Sequence, residues 1–389
     1  MTERSRGYLA AADVLRVAAI SLVGWYHIWQ QSWLDPGFFV GQCYVNLQQV
    51  VRNGYLMVDV LLVLSGFLLA LPYARARLGI ASRPTVKQFY IKRFWRIVPA
   101  YALSVLLCLF LWALPQGQYA SGEALAKDLI THFTFTHNLF RDVYFGSPIL
   151  GVLWTMGVEV QFYALFPLIA AAYERRPWLT CLLLTTAALG VRLWVSTLPS
   201  TTFWVNQLPC MLDLYACGMA AALVYAKAAG KELRPRGQWL LALGAFLALG
   251  ILFQLLYKQT LGDGETVRRG QLLLRLPLGI ASGAFLVCGC LAPPVLDRVF
   301  GNPVTRFFSA ISYGFYMWHQ FLAVRLKDWH IPSYAAELPN QAGEQPWQTR
   351  YTLLCFGAAI LAGTALTYLW ERPLARRALR RPEKASTAQ

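Results

Sequence analysis

Ten stretches of this 389-residue chain are each long and apolar enough to cross a membrane, and they leave little sequence over for anything else. They run roughly 12–32, 50–72, 97–115, 148–172, 178–197, 207–228, 237–257, 271–291, 307–326 and 350–370. A helix rising about 1.5 Å per residue needs about 20 such residues to span the hydrocarbon. The expected fold is therefore all-α, a polytopic transmembrane bundle of about ten spanning helices. With 57% hydrophobic and 14% charged residues the chain is too apolar for an ordinary soluble domain. A net charge of +16 raises nucleic acid as a partner. That reading needs a basic face on a soluble fold, whereas here the basic residues cluster in short loops, so no nucleic acid is expected.

The same loops set the orientation. With a cytoplasmic N-terminus, the inner side holds Arg4, Arg6, Arg75, Arg77, Arg83, Lys87, Lys92, Arg93, Arg96, Arg175, Arg176 and more, and the tail adds Arg372, Arg376, Arg377, Arg380, Arg381 and Lys384. The outer side holds only Lys127, Arg141, Lys258, Arg268, Arg269, Lys327 and Arg350. The positive-inside rule then puts both termini in the cytoplasm. A secretory signal is rejected for the first segment, because Arg16 and His27 interrupt its apolar run. The eight cysteines lie mostly within apolar segments and suggest neither a disulfide framework nor zinc, so no metal is expected. Walker loops, dinucleotide fingerprints and nucleophile elbows are absent from the sequence. One domain over 1–374 and a basic tail over 375–389 are expected.

Ionisable residues inside such segments mark function by default. Arg16 and His27 are eleven residues apart; at about 100° per residue they share a helix face, about 16 Å apart along the axis. Asp59, Glu159 and His319 fall on other segments, each in the middle-to-outer zone of the membrane. Two imidazoles and two carboxylates at one level suit general acid–base chemistry. The alternative is structural pairing, Asp59 or Glu159 with Arg16 or a histidine. In the inner loop, Arg93 and Arg96 are i,i+3 neighbours able to clamp a phosphorylated ligand, or to anchor at lipid headgroups. His132 and His137 fit no strong zinc pattern and are expected as solvated loop residues. The tryptophans serve an interfacial belt, and those near an outer mouth can also stack on sugar rings.

Taken in order, these motifs resemble acyltransferase family 3, the integral membrane acyltransferases that include O-acetylases of lipopolysaccharide O-antigen and peptidoglycan. The likeness rests on Asp13-Val-Leu-Arg16 with its spacing to His27, Val58-Asp59 before Val63-Leu-Ser65-Gly66-Phe67, and Arg93-Phe-Trp-Arg96-Ile-Val-Pro99. It continues through Leu153-Trp154 to Glu159-Val-Gln161-Phe162-Tyr163, Ile311-Ser312-Tyr313 to Trp318-His319, and Trp370-Glu371-Arg372-Pro373. Where the common pattern has Gly-Leu-Arg, this chain has Val14-Leu15-Arg16, and it has Leu61-Leu62-Val63-Leu64 where Phe-Phe-Val-Leu is common; both are apolar swaps.

The resemblance implies His27 as catalytic base with Arg16 as its companion, and Arg93 with Arg96 binding acyl-coenzyme A; Glu159 or Asp59 is expected to orient the imidazole or position the acceptor. Asp59, Trp154, Tyr163, Tyr313 and His319 become candidate substrate-binding residues. The expected reaction moves an acyl group, most simply acetyl, from cytoplasmic acyl-CoA to a hydroxyl of a cell-envelope carbohydrate or glycolipid. The donor's arm would thread into the bundle to the level of His27. The expected setting is a multi-pass position among membrane lipids of the bacterial plasma membrane. Some members add an extracytoplasmic domain; this chain ends about nineteen residues past its last expected span, so the stand-alone form is expected. The competing class is a proton-coupled transporter or flippase of an acylated lipid or solute, with His27, Asp59 and Glu159 as its relay. Oligomeric state is not readable from the sequence.

Overall fold

A computed structural model describes residues 8–259 and 262–379. Arg4, Arg6, Arg380, Arg381 and Lys384 of the expected inner charge lie outside the described residues. The helices are α1 (Ala10–Ser32), α2 (Gln48–Arg52), α3 (Met57–Arg77), α4 (Val86–Cys108), α5 (Gly122–Phe133), α6 (Arg141–Gly146), α7 (Trp154–Arg175) and α8 (Pro177–Ser196). They continue with α9 (Leu212–Ala229), α10 (Pro235–Lys258), α11 (Gly264–Leu291), α12 (Pro294–Phe300), α13 (Pro303–Asp328), α14 (Trp347–Ala365) and α15 (Arg372–Leu379). A small antiparallel hairpin, β1 (Phe38–Val40) and β2 (Cys43–Val45), departs from the all-helical expectation.

Local chemistry explains several boundaries. Thr85 and Gln88 form a reciprocal capping box that opens α4, satisfying two helix-end donors. Pro177 and Pro235 stand in the first turns of α8 and α10, where a missing N–H costs nothing. Asp263 caps α11 by accepting from the Thr266 N–H at 2.8 Å. Two helices change pitch: α4 runs into a π-helical turn at Leu109–Ala113, and α14 into another at Leu366–Glu371.

Nine of the described helical stretches are long and apolar enough to cross a membrane. The tenth expected segment, 307–326, does form a helix, the 26-residue α13, but falls short on apolarity. Arg306, Arg325, Lys327, Asp328, Ser309 and Ser312, with His319 and Gln320, make it the most polar of the long helices.

The residues divide into two compact units. The first is Met1–Gln30, Asp35–Arg83 and Val158–Ser309; the second is Gln31–Leu34, Pro84–Gly157 and Ala310–Gln389. Within the first, α3 and α9 pack in parallel with their backbones in contact. A Cβ added at Gly66 would overlap the Tyr215 backbone, and one at Gly218 would overlap Val63 O. Small residues permit this approach, which is how helices bind one another where no hydrophobic effect drives them together. Within the second, α4 and α13 lie side by side in parallel. Tyr313 OH donates to Ile97 O (3.2 Å) and Trp318 Nε1 donates to Ser104 Oγ (3.1 Å). Antiparallel to α13 runs α14, with Gly314 against Gly363 and Tyr351 OH donating to Ala323 O.

Gly218→Val should destabilise the protein by at least the about 1–3 kcal/mol usual for overpacking, since the obstacle is backbone and cannot rotate away. Thermal unfolding in detergent should show a lowered midpoint; an unchanged midpoint would contradict the close α3–α9 contact.

Candidate active site

In the first unit α1 is one unbroken helix, so Arg16 and His27 stand about 16 Å apart along it. Arg16 donates to Asp13 Oδ1 (3.2 Å) and Ser309 Oγ (2.9 Å), and Ser309 Oγ donates to Asp13 Oδ1 (2.6 Å). The Arg16 charge is thus balanced within its own first turns and tied to the start of α13. His27 is half-buried, and its Nδ1 is 3.0 Å from Gln30 Oε1. Gln30 Nε2 donates to Tyr26 OH at 2.9 Å, which turns the amide oxygen toward the imidazole. That oxygen is an acceptor, which suits a proton on Nδ1. Gln30 was not anticipated, although its i+3 position on the helix was readable.

The carboxylates have different partners from those weighed in the sequence. Asp59 is buried with Arg275, whose Nε lies 3.3 Å from Asp59 Oδ2. Arg275 also donates to Asn206 Oδ1 (3.2 Å) and to Val205 O. A second buried pair, Arg192 Nη2 to Asp213 Oδ2 at 2.6 Å, joins α8 to α9. Arg275, Arg192 and Asp213 were all missed, though each is a charge inside an apolar stretch, the signal that had singled out Arg16. Glu159 accepts from Ser65 Oγ at 3.0 Å and from Tyr163 OH, one turn along α7. The structure therefore brings Glu159, Tyr163 and Ser65 together, with Gly66 beside Ser65 allowing the approach of α9.

The second unit holds the other motifs. Arg96 on α4 pairs with Glu371 at 2.7 Å, and Trp370 Nε1 donates to Pro99 O at 2.9 Å. Two sequence motifs separated by some 270 residues are thus locked together, and Glu371 is presented by the π-helical turn that ends α14. Around this pair lies an open cleft of about 470 Å³ lined by Lys92, Trp95, Arg96, Arg372 and Arg376. Four cations stand in this lining against one carboxylate, which leaves the cleft positively charged. Arg93, expected as the partner of Arg96, does not line the cleft; its guanidinium lies 5.9 Å from the Phe89 ring centre on α4. His319 is buried on α13, its Nδ1 2.7 Å from Tyr316 O and its ring stacked on Phe315. Trp154 opens α7 after a 3₁₀ turn, Gly151–Leu153.

His132 and His137 depart from the expectation of solvated loop residues. They are 2% and 4% exposed, with rings stacked 4.3 Å apart. His132 Nδ1 lies 3.0 Å from Asp128 Oδ1, while Tyr119 and Ser147 donate to Asp128 Oδ2 at 2.6 and 2.9 Å. This polar knot ties α5 to the loop before α7. An amphipathic α5 folding back over the loop is what buries both rings. Burial, with the neighbouring His132 adding to it, pushes His137 down to about 3.

The described residues thus form a helical protein with nine stretches able to cross a membrane, one unit carrying a half-buried histidine on α1 and the other a basic cleft at one end of α4. The family described as acyltransferase domain, acyltransferase family 3, matches residues 9–369, and the chain belongs to that family. It is 25% identical over 336 residues to the peptidoglycan O-acetyltransferase OatA of Listeria monocytogenes, covering 82% of this chain and 50% of that protein. It is 26% identical over 321 residues to a candidate acetyltransferase of Acidianus two-tailed virus, covering 82% of this chain and 84% of the other. A candidate peptidoglycan O-acetyltransferase of Bacillus subtilis, YrhL, is 24% identical over 328 residues, covering 80% of this chain and 48% of its own. The chain thus spans about half the length of the Listeria and Bacillus relatives. No solved structure gives a significant match.

Two outcomes follow. Arg275→Leu strands the buried Asp59 carboxylate and should cost about 3–5 kcal/mol, much of it recovered in the Arg275→Leu, Asp59→Leu double variant. Thermal unfolding of the wild type and these two variants in detergent checks this; a double variant no more stable than Arg275→Leu would contradict the pairing. Because the folded chain holds His137 near 3, against about 6.5 when unfolded, protons bind the unfolded chain first as pH falls. Stability should therefore decline from about pH 6.5 down to about 3, and His137→Asn should flatten that decline; an equally steep decline in the variant would remove His137 as its source.

Proposed function

We propose that this chain transfers an acyl group, acetyl in the simplest case, from acyl-CoA on the cytoplasmic side to a hydroxyl of a cell-envelope carbohydrate or related acceptor. The observation that carries this reading is the basic cleft at the Arg96–Glu371 pair, which adds Lys92, Arg372 and Arg376 to Arg96 of the family's donor motif. A coenzyme with several phosphates is the acyl carrier that such a cleft suits. The loop charges support a cytoplasmic position for both termini, and a bacterial plasma membrane is the proposed setting. The relatives' names support acetyl and an envelope glycan such as peptidoglycan.

In the proposed reaction His27 Nε2 takes the proton of the acceptor hydroxyl as that oxygen bonds to the thioester carbonyl carbon. The tetrahedral intermediate collapses, breaking the C–S bond. The departing CoA sulfur recovers the proton from the imidazolium. Gln30 holds the imidazole in the tautomer that can act as base. Arg93 and Arg96 hold the donor's phosphates, with Glu371 fixing the Arg96 side chain. Arg16 fixes the lower part of α1 through Asp13 and Ser309. Glu159, aligned by Tyr163 and Ser65, positions the acceptor, and Trp154, Tyr313 and His319 serve it as well.

His27→Ala should abolish transfer while leaving expression and thermal midpoint intact; losses of 10²–10⁴-fold are typical for a general base, so near-normal turnover would overturn the assignment. Arg93→Ala should raise the KM for acyl-CoA with a smaller effect on kcat, and an unchanged donor KM would remove it from the donor site. Mass spectrometry of envelope glycans with and without the protein should show loss of one fixed acyl mass, which also names the acceptor.

A further inference from the structure

A second cavity in the second unit, about 220 Å³, lies between the C-terminal end of α13 and the π-helical turn that ends α4. Its lining includes Trp112, Gln118, Ser147, Gln320, Phe321 and Arg325. We propose that this cavity is the subsite for one sugar ring of the acceptor, a reading that rests on the acyl transfer proposed above.

The chemistry of the lining carries it. Gln118, Ser147 and Gln320 offer neutral hydrogen-bonding groups that match hydroxyls, and Trp112 with Phe321 supplies apolar ring surface for the C–H faces of a pyranose. The volume equals about seven waters at about 30 Å³ each, the room of a single monosaccharide. Arg325 is held rigidly, its guanidinium 4.1 Å over the Trp112 ring and 3.0 Å from Asp328 Oδ2. Its Nε is buried without an acceptor among the described residues. Asp328 neutralises the single cation of the lining, which argues against a lipid phosphate and for a neutral glycan.

Position agrees with chemistry. Arg96 and Trp112 are sixteen residues apart along α4 and its π-helical turn, about 24 Å at the helical rise. The donor cleft and this cavity therefore occupy opposite ends of one helix, as donor and acceptor on opposite membrane faces require. Each of the two π-helical turns supplies a residue to one of them, Glu371 to the basic cleft and Trp112 to the cavity. Such turns are rare and recur at functional sites. Gln320 follows His319 directly and borders Gly151 at the start of the Leu153-Trp154 motif; a Cβ at Gly151 would meet Gln320 Oε1 at 3.3 Å.

The test is saturation-transfer NMR on the full chain in detergent, without donor, using chitotetraose, maltotetraose and cellotetraose. At least one should receive saturation, and Gln320→Ala and Trp112→Phe should each weaken it at least about ten-fold without lowering the thermal midpoint. Trp112→Ala should abolish it. Binding of none of the sugars by the wild-type chain would overturn the proposal, as would unchanged binding in Gln320→Ala and Trp112→Phe. So would competition by phosphatidylglycerol vesicles in place of sugar. Because no acyl-CoA is present, failure of the transfer reaction leaves this result standing, and failure here leaves the transfer reaction standing.

Discussion

A charge inside an apolar bundle persists only if another charge or a set of dipoles meets it there, and this constraint organises the first unit. The carboxylate of Asp59 is met by Arg275, and that of Asp213 by Arg192. Each pair ties two helices in a fixed register, because moving either helix would leave an ion uncompensated at a cost of several kcal/mol. The glycines act in the same direction. At Gly66 and Gly218 the backbones of α3 and α9 touch, so Ser65 is held where it can donate to Glu159. The candidate chemistry sits on a frame whose geometry is set by electrostatic pairing and backbone contact.

The second unit follows a different rule, in which departures from regular helix carry the clefts. The parallel pair α4 and α13 is stitched by Tyr313 and Trp318. Where α4 widens into its π-helical turn, Trp112 takes up the Arg325 guanidinium. Where α14 widens, Glu371 meets Arg96 from a position 275 residues away in the chain. A regular helix continuing through Leu366–Glu371 would turn Glu371 to another face.

Much of this was legible in the sequence, for identifiable reasons. Nine of the expected spans emerge because apolar length is a local property, and α13 remains recognisable as a helix despite its polar residues. The motifs were visible as motifs, and the i,i+3 spacing of Arg93 and Arg96 allowed either a clamp for a phosphorylated ligand or anchoring at lipid headgroups; of the two, Arg96 lines the basic cleft. What the sequence could not show was pairing across long separations. Asp59 was weighed against Arg16 and the histidines, whereas its partner is Arg275, 216 residues on. The buried His132 and His137 were hidden because a polar loop gives no sign that it folds back on itself. Arg372 and Arg376 were readable only as positive-inside charge until Glu371 brought them beside Arg96.

Acyl passage across the bilayer is tested most directly in proteoliposomes in which acetyl-labelled acetyl-CoA is supplied outside and an acceptor glycan is trapped inside. The account predicts label on the trapped glycan, in the fraction of molecules whose donor cleft faces outward, and no label with His27→Ala. Label appearing only when donor and glycan share one compartment would contradict it.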